Sequence, residues 1–235
     1  MKYIYPLNNA NNSAKIMQAA EHHLLWFEQL DMAEWLTGDR KRVKAVEYHL
    51  PRLVAQEKLL AVRYDRKLVY RLNHAQCNGA GHLTHDLMCT QIILRFAGQD
   101  AGEIVSELFF LEEKKLFGCV PDWAVLFPSL VLLCEYSTGD NFRRTRTMRG
   151  KLKAYRHYLF RFIDYFDSAV SVLFIFDVPR YKVQQFVASH TTSDDTPFYF
   201  TDLASLLAVP KDGLLTSPLF IWGGDGKSYP LKSND

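Results

Sequence analysis

Three apolar segments in the second half of the chain constrain its fold more than any other feature. Two of them lie between residues 120 and 137, and the third spans residues 168–178. Each has the length of a strand, and the third is apolar at nearly every position, which is typical of a central strand covered on both faces. The segment between them, residues 142–166, has the periodicity of a long helix. We therefore expect an α/β fold with a mixed sheet flanked by helices.

Basic residues are concentrated in two segments of a chain whose net charge is only +2. Residues 40–71 contain ten basic and three acidic residues, and residues 141–161 contain eight basic residues and no acid. The rest of the chain is therefore acidic. This asymmetry favours a polyanionic partner, above all nucleic acid. The alternative is that both segments are solvated faces with no partner.

The cysteines and the apolar runs argue against several classes of protein. The four cysteines form no close pair, which disfavours a zinc ribbon or a disulfide framework and indicates a reducing compartment. The first residues lack the apolar region of a signal peptide. No apolar run approaches the roughly 20 residues that span a bilayer. We expect a cytoplasmic protein that does not enter a membrane.

The first 75 residues are predicted to form three helices followed by a hairpin. The helices fall at residues 14–26, 31–36 and about 40–57, and the hairpin at residues 58–73. This order is typical of a winged helix-turn-helix, in which the third helix enters the major groove and the hairpin contacts phosphates. Pro51 conflicts with an unbroken third helix. The alternative is a helical cap whose hairpin has no partner.

Five cations in this region are the candidate DNA contacts. Lys41, Arg42 and Lys44 lie on the polar face of the third predicted helix, and Arg66 and Lys67 lie at the hairpin turn. The following residues, 74–81, contain Gly and Asn but no large apolar side chain, and we interpret them as a linker. The predicted domains are therefore residues 1–75 and 82–235. The second has the element order α-β-β-β-α-β, with a further α-β.

Two carboxylates stand at the edges of the paired apolar strands. Asp122 opens the first strand and Glu135 closes the second. If the strands form a hairpin, both acids lie at one end of the sheet. Neighbouring carboxylates repel each other, and a hard cation such as Mg²⁺ or Mn²⁺ commonly holds such a pair. The alternative is that both acids end their strands in solvent.

The pattern Pro121-Asp122 followed by Glu135-Tyr136-Ser137 resembles that of the PD-(D/E)XK nuclease superfamily, over roughly residues 82–180. The whole chain resembles the replication-relaxation family of bacterial mobile-element proteins, which joins a winged helix to a nuclease-like domain. The resemblance implies a restriction-endonuclease-like fold and double-stranded plasmid or transposon DNA as the partner. The segments that carry it, besides the two acids, are His85-Asp86, Ser106-Glu107, Lys151–Tyr155, Phe176-Asp177 and Ile221-Trp222.

The chain departs from the superfamily pattern at one position. The lysine that normally follows the second acid by two residues is replaced by Ser137. We expect Lys151, on the following helix, to supply that charge, because it shares a helix face with Tyr155 whereas Lys153 faces away. Arg144 and Arg149 are candidate phosphate clamps. Glu107 is the preferred third metal ligand, with Asp86 and Glu103 as alternatives.

Three functions compete at this point. The first is a metal-dependent DNA endonuclease or nickase, and the second is a DNA-binding replication or transcription regulator whose nuclease-like domain is silent. The third is a platform whose basic faces bind acidic protein. A second copy of the chain and other replication or transfer proteins are open as further partners.

Overall fold

The computed structural model describes residues 11–22, 24, 26–73, 82–97, 103–112, 114–143 and 145–231. It divides the chain into two compact units. The first comprises Met1–Gly98 and Glu103–Leu108, and the second comprises Gln99–Gly102 and Phe109–Asp235. The expected linker, residues 74–81, and the candidate clamp Arg144 lie outside the described residues. No helix in the described part of the chain is long and apolar enough to cross a membrane.

The first unit contains a small antiparallel sheet with helices around it. Its strand order is β1-β3-β2. The two hairpin strands β2 and β3 pair with each other, and the short strand β1 pairs with the other edge of β3. Trp26, Val69 and Leu83 pack in its core, and Phe27 stacks on Tyr70. Its elements are α1 (Asn12–His22), β1 (Phe27–Glu28), α2 (Gln29–Thr37), α3 (Lys44–Glu47), α4 (His49–Ala55), β2 (Leu59–Tyr64), β3 (Lys67–Leu72), α5 (Leu83–Phe96) and β4 (Ile104–Ser106).

The predicted third helix is two helices, and Pro51 explains the break. An unbroken helix would need an N–H at residue 51 to bond the carbonyl of Glu47, but proline has none and its ring clashes with that carbonyl. α3 therefore ends at Glu47, and Pro51 sits in the first turn of α4. In the first turn of a helix a missing N–H costs no hydrogen bond.

The helix α5 groups with the first unit, whereas the predicted division placed residues 82–98 in the second domain. Its side chains explain the difference. Leu83 packs beside Trp26 and Val69, and the Thr90 hydroxyl donates to the Trp26 carbonyl. The core of the first unit thus includes a helix that follows the expected linker.

The second unit is built on a mixed sheet, and the predicted α/β fold class is confirmed. Its strands are ordered β10-β9-β8-β7-β6-β5. β6 is antiparallel to β5 and parallel to β7, and β7 is parallel to β8. The elements, which follow α6 (Glu107–Glu112), are α7 (Lys114–Phe117), β5 (Trp123–Leu126), β6 (Leu130–Ser137), α8 (Gly139–Arg143), α9 (Thr145–Phe166), β7 (Ala169–Phe176), α10 (Arg180–His190), β8 (Phe198–Asp202), α11 (Leu203–Ala208), a 3₁₀ turn (Lys211–Gly213), β9 (Phe220–Trp222) and β10 (Ser228–Tyr229).

The helix α9 is amphipathic, and its apolar side packs on this sheet. Met148, Leu152, Tyr155 and Phe162 are buried on that side, at spacings of four, three and seven residues. The Tyr155 ring meets Phe174 of β7 edge-on, at 5.9 Å between ring centroids. This packing holds α9 against the strand that carries Glu135, because Phe174 is the register partner of Glu135.

A candidate acid–lysine site at the end of strand β6

Glu135 is a buried acid whose two carboxylate oxygens each accept a hydrogen bond from α9. Its exposure is 2%. The Lys151 ammonium donates to Oε2, and the Tyr155 hydroxyl donates to Oε1 at 2.7 Å. Lys151 and Tyr155 are one helical turn apart, so both reach the same strand. The Lys151 side chain is 36% exposed, so the Lys151 side of the acid lies next to solvent.

The electrostatics of Glu135 follow from this burial. Removal from water raises the pKa of Glu135 from 4.5 to about 7, although the Lys151 charge and the hydrogen bonds from Lys151 and Tyr155 act to lower it. The negative charge of Asp122 contributes to this increase. The two carboxylates are therefore close enough to repel each other, as the sequence predicted for a pair at one end of the sheet.

Asp122 has a structural partner as well. β5 begins at Trp123, whereas β6 continues to Ser137, so the amide of Tyr136 has no strand carbonyl opposite it. The Asp122 carboxylate takes the place of that carbonyl and accepts the Tyr136 N–H at 2.7 Å. This bond fixes the carboxylate beside the end of β6. Asp122 itself is half-buried.

The positions of the two lysines on α9 agree with the helical wheel. Lys151 lies on the sheet side, in contact with Glu135, and Lys153 is exposed. Ser137, which stands where the superfamily has its lysine, is buried, and its hydroxyl has no hydrogen-bond partner among the described residues. The contact of Lys151 with the acid is observed, but its catalytic role stays a prediction.

Tyr155 is the site residue that the sequence analysis missed. It was used there only to orient Lys151 on the helix, and its ring lies in the core. Its hydroxyl, however, bonds the buried acid, and burial together with the charge of Glu135 raises the pKa of Tyr155 well above its usual range. The signal was available, since a tyrosine at a fully buried position normally has a hydrogen-bond partner.

The two acids fit a hard divalent cation in their chemistry. Both supply carboxylate oxygens, which Mg²⁺ and Mn²⁺ prefer. A carboxylate has about four lone-pair positions, so two protein donors leave Glu135 with capacity for a ligand. A cation would also relieve the repulsion between Asp122 and Glu135. Glu107 is the first residue of α6 and belongs to the first unit, so its part as a third ligand stays a prediction.

Cys119 is electrostatically coupled to this group but is not a candidate nucleophile. Burial and the charge of Glu135 raise the pKa of Cys119 to about 12. The thiol therefore stays protonated at neutral pH, and a thiol is a far weaker nucleophile than a thiolate.

The candidate DNA contacts of the first unit are all exposed. Lys41, Arg42 and Lys44 lie before and at the start of α3. Arg66 is in the hairpin turn, and Lys67 begins β3. Two of the five already have acidic neighbours: Arg42 lies 3.7 Å from Asp39, and the Lys67 ammonium donates to both carboxylate oxygens of Glu28 at 2.9 and 3.1 Å. A phosphate would compete with Glu28 for Lys67.

In the second unit, the candidate clamp Arg149 is exposed on α9 about 160° around the helix from Lys151, so it does not lie on the side of the acids. Comparisons of the chain with protein-family models, with curated proteins and with solved structures gave no match. The assignment to the replication-relaxation family therefore remains a prediction from the residues quoted above.

Proposed function

We propose that the chain binds DNA and that its second unit cleaves or nicks it with the help of a divalent metal ion. One observation supports this proposal above all others: the Lys151 ammonium contacts Glu135, and the charge of Asp122 raises the pKa of Glu135. Two acids and a cation are the groups that the superfamily pattern combines, although here the cation comes from a helix. The β5-β6-α9-β7 arrangement also supports a nuclease-like fold.

Each residue has a distinct part in this proposal. Asp122 and Glu135 hold Mg²⁺ or Mn²⁺, which when bound lowers the pKa of a water and offsets charge on a phosphate. Lys151 places a fixed positive charge where negative charge develops during cleavage. Tyr155 orients the Glu135 carboxylate through its bond to Oε1, which leaves Oε2 facing Lys151.

The first unit is proposed to be a winged helix that delivers the DNA. The β1-β3-β2 sheet and the exposed cations around α3 and the hairpin support this role. The family resemblance favours plasmid or transposon DNA. The free thiols of Cys89, Cys119 and Cys134 are consistent with the reducing cytoplasm.

A second function is favoured by the same contacts. Lys151 and Tyr155 satisfy both oxygens of Glu135 without any ligand. A DNA-binding replication or transcription regulator could keep this arrangement for stability alone. Metal dependence separates the two functions, because a silent domain makes no covalent change in DNA with or without the cation.

The test is incubation of supercoiled plasmid with the full chain, with and without Mn²⁺. We expect Mn²⁺-dependent nicking or linearisation by the wild type, and at least a 100-fold loss (of the order that single catalytic groups contribute) in Glu135→Gln and Lys151→Gln. Asp164→Asn and Lys182→Ala are matched controls at exposed positions and should keep the activity. Equal cleavage by all variants would exclude Glu135 and Lys151 from the active site, and intact plasmid with a bound wild type would favour the silent regulator.

A further inference from the structure

The solvent side of α9 carries a second basic feature, distinct from Lys151. Arg146, Arg149 and Lys153 are exposed and follow one another at three- and four-residue spacing. They therefore form one row along the helix, with axial steps of about 4.5 and 6 Å. We refer to these three residues as the α9 basic row.

No ion pair in the described part of the chain compensates the α9 basic row, whereas three other cations of the second unit are paired with acids. Lys151 contacts Glu135, Arg156 makes a two-pronged bond to the buried Asp195, and Arg180 lies 3.3 Å from the buried Asp202. Among the described residues, no member of the α9 basic row forms an ion pair. The paired cations therefore contribute to the fold through their contacts with buried acids, whereas the residues of the row make no such contact with any acid that the structure describes.

The row lies on the side of α9 opposite to Lys151. At about 100° per residue, Arg149 and Lys153 are each about 160–200° from Lys151 around the axis, and Tyr155 is only about 40° from it. A helix with its side chains is about 10–12 Å across. A phosphate held beside Glu135 and Lys151 is therefore out of reach of the row.

We propose that the α9 basic row is an exosite that binds the sugar-phosphate backbone of a nucleic acid segment other than the one at the acids. Cations that follow one another along a helix match a linear polyanion, and arginine suits phosphate because it can bond two oxygens at once. The inference rests on the proposed function for its partner, DNA, but not on cleavage.

The test measures DNA binding by fluorescence anisotropy of a labelled 24-base-pair duplex, in EDTA, at several salt concentrations. The variant is R146A/R149A/K153A in the full chain. The control is K114A/K115A/K182A, which removes the same charge from exposed positions on α7 and α10. We expect the slope of log Kd against log salt to fall by up to about 2.7 in the variant, at about 0.9 per phosphate contact, and to stay at the wild-type value in the control.

Each other result has a defined meaning. An equal decrease of the slope in both variants would show that only net charge matters. An unchanged slope in both would show that the row does not contact the DNA. Polyglutamate that displaces the duplex at matched charge would replace the DNA assignment by an acidic protein. Calorimetric Mn²⁺ binding should be the same in R146A/R149A/K153A and wild type. Weakened Mn²⁺ binding in the variant would show that the substitutions disturb the acid site, and would overturn the separation of the row from the acids. A wild type that binds no Mn²⁺ would refute the metal site alone and leave the anisotropy result valid.

Discussion

Glu135 combines a carboxyl group, nearly complete burial and a lysine neighbour, and this combination makes its protonation part of the fold's stability. Burial raises its pKa from 4.5 to about 7. Between these values the folded chain holds the proton more tightly than the unfolded chain does. The contribution to stability is therefore complete below about pH 4.5 and is lost as the pH rises through about 7.

We predict that Glu135→Gln removes this pH dependence. Relative to the variant, the free energy of unfolding of the wild type should fall by on the order of 3 kcal/mol between pH 4.5 and 8. Urea unfolding at several pH values measures the difference. The hydrogen bond from Tyr155 lowers the pKa of Glu135 in the wild type. Tyr155→Phe removes this bond and should raise the pKa, so the fall in stability should extend to higher pH. Tyr158→Phe is the matched control, and parallel curves for the wild type and Glu135→Gln would contradict the assignment.

Prediction from sequence succeeded at this scale where helix geometry alone decided the outcome. The wheel put Lys151 on the side of Tyr155, and the structure has both on Glu135. The sequence pattern did not predict the hydrogen bond from the Tyr136 N–H to Asp122, because that bond depends on β5 beginning one residue after the acid. Strand ends are set by pairing partners, which periodicity does not reveal.

The hairpin of the first unit contains a local strain at its turn. Asp65 and Arg66 have positive φ values of 44° and 65°, as the two central residues of a type I′ turn require. Neither is glycine, and the left-handed conformation costs an ordinary residue about 1 kcal/mol or more. The turn thus keeps a cation at its tip at the expense of stability.

We predict that Arg66→Gly raises the stability of the first unit by about 1 kcal/mol and weakens DNA binding. Arg66→Ala removes the same charge without relieving the backbone, so it should weaken binding equally and leave stability unchanged or lower. Thermal unfolding and anisotropy measure the two effects. Full DNA affinity in both variants would remove the hairpin tip from the proposed interface.

Among whole elements, most helices and strands with a regular pattern were placed correctly, but the unit to which α5 belongs was not. The apolar face of α5 was visible in the sequence, yet nothing in it distinguishes one core from another. The tertiary contacts of Leu83 and Thr90 with Trp26 and Val69 decide that question. The break between α3 and α4 was indicated by Pro51, because a missing N–H is a local property.

At the scale of the whole molecule, the chain consists of two units, and α5 decides where the first one ends. We predict that a fragment of residues 1–98 folds cooperatively, whereas residues 1–75 are much less stable. The shorter fragment loses Leu83 from the core and leaves the Trp26 carbonyl without the Thr90 hydroxyl. Circular dichroism during thermal unfolding compares them. Equal melting temperatures of the two fragments would show that the first unit ends at residue 75, as the sequence predicted.

The double role of Asp122 has a consequence for how this protein would evolve. Its carboxylate holds the end of β6 in place, and Glu135 is equally tied to Lys151 and Tyr155. Selection for a folded chain would therefore retain these residues even in a lineage that had lost the proposed action on DNA. Arg146, Arg149 and Lys153 have no such protection, since no ion pair among the described residues holds them. Genetic drift after loss of function would erase the basic row first and the acids last.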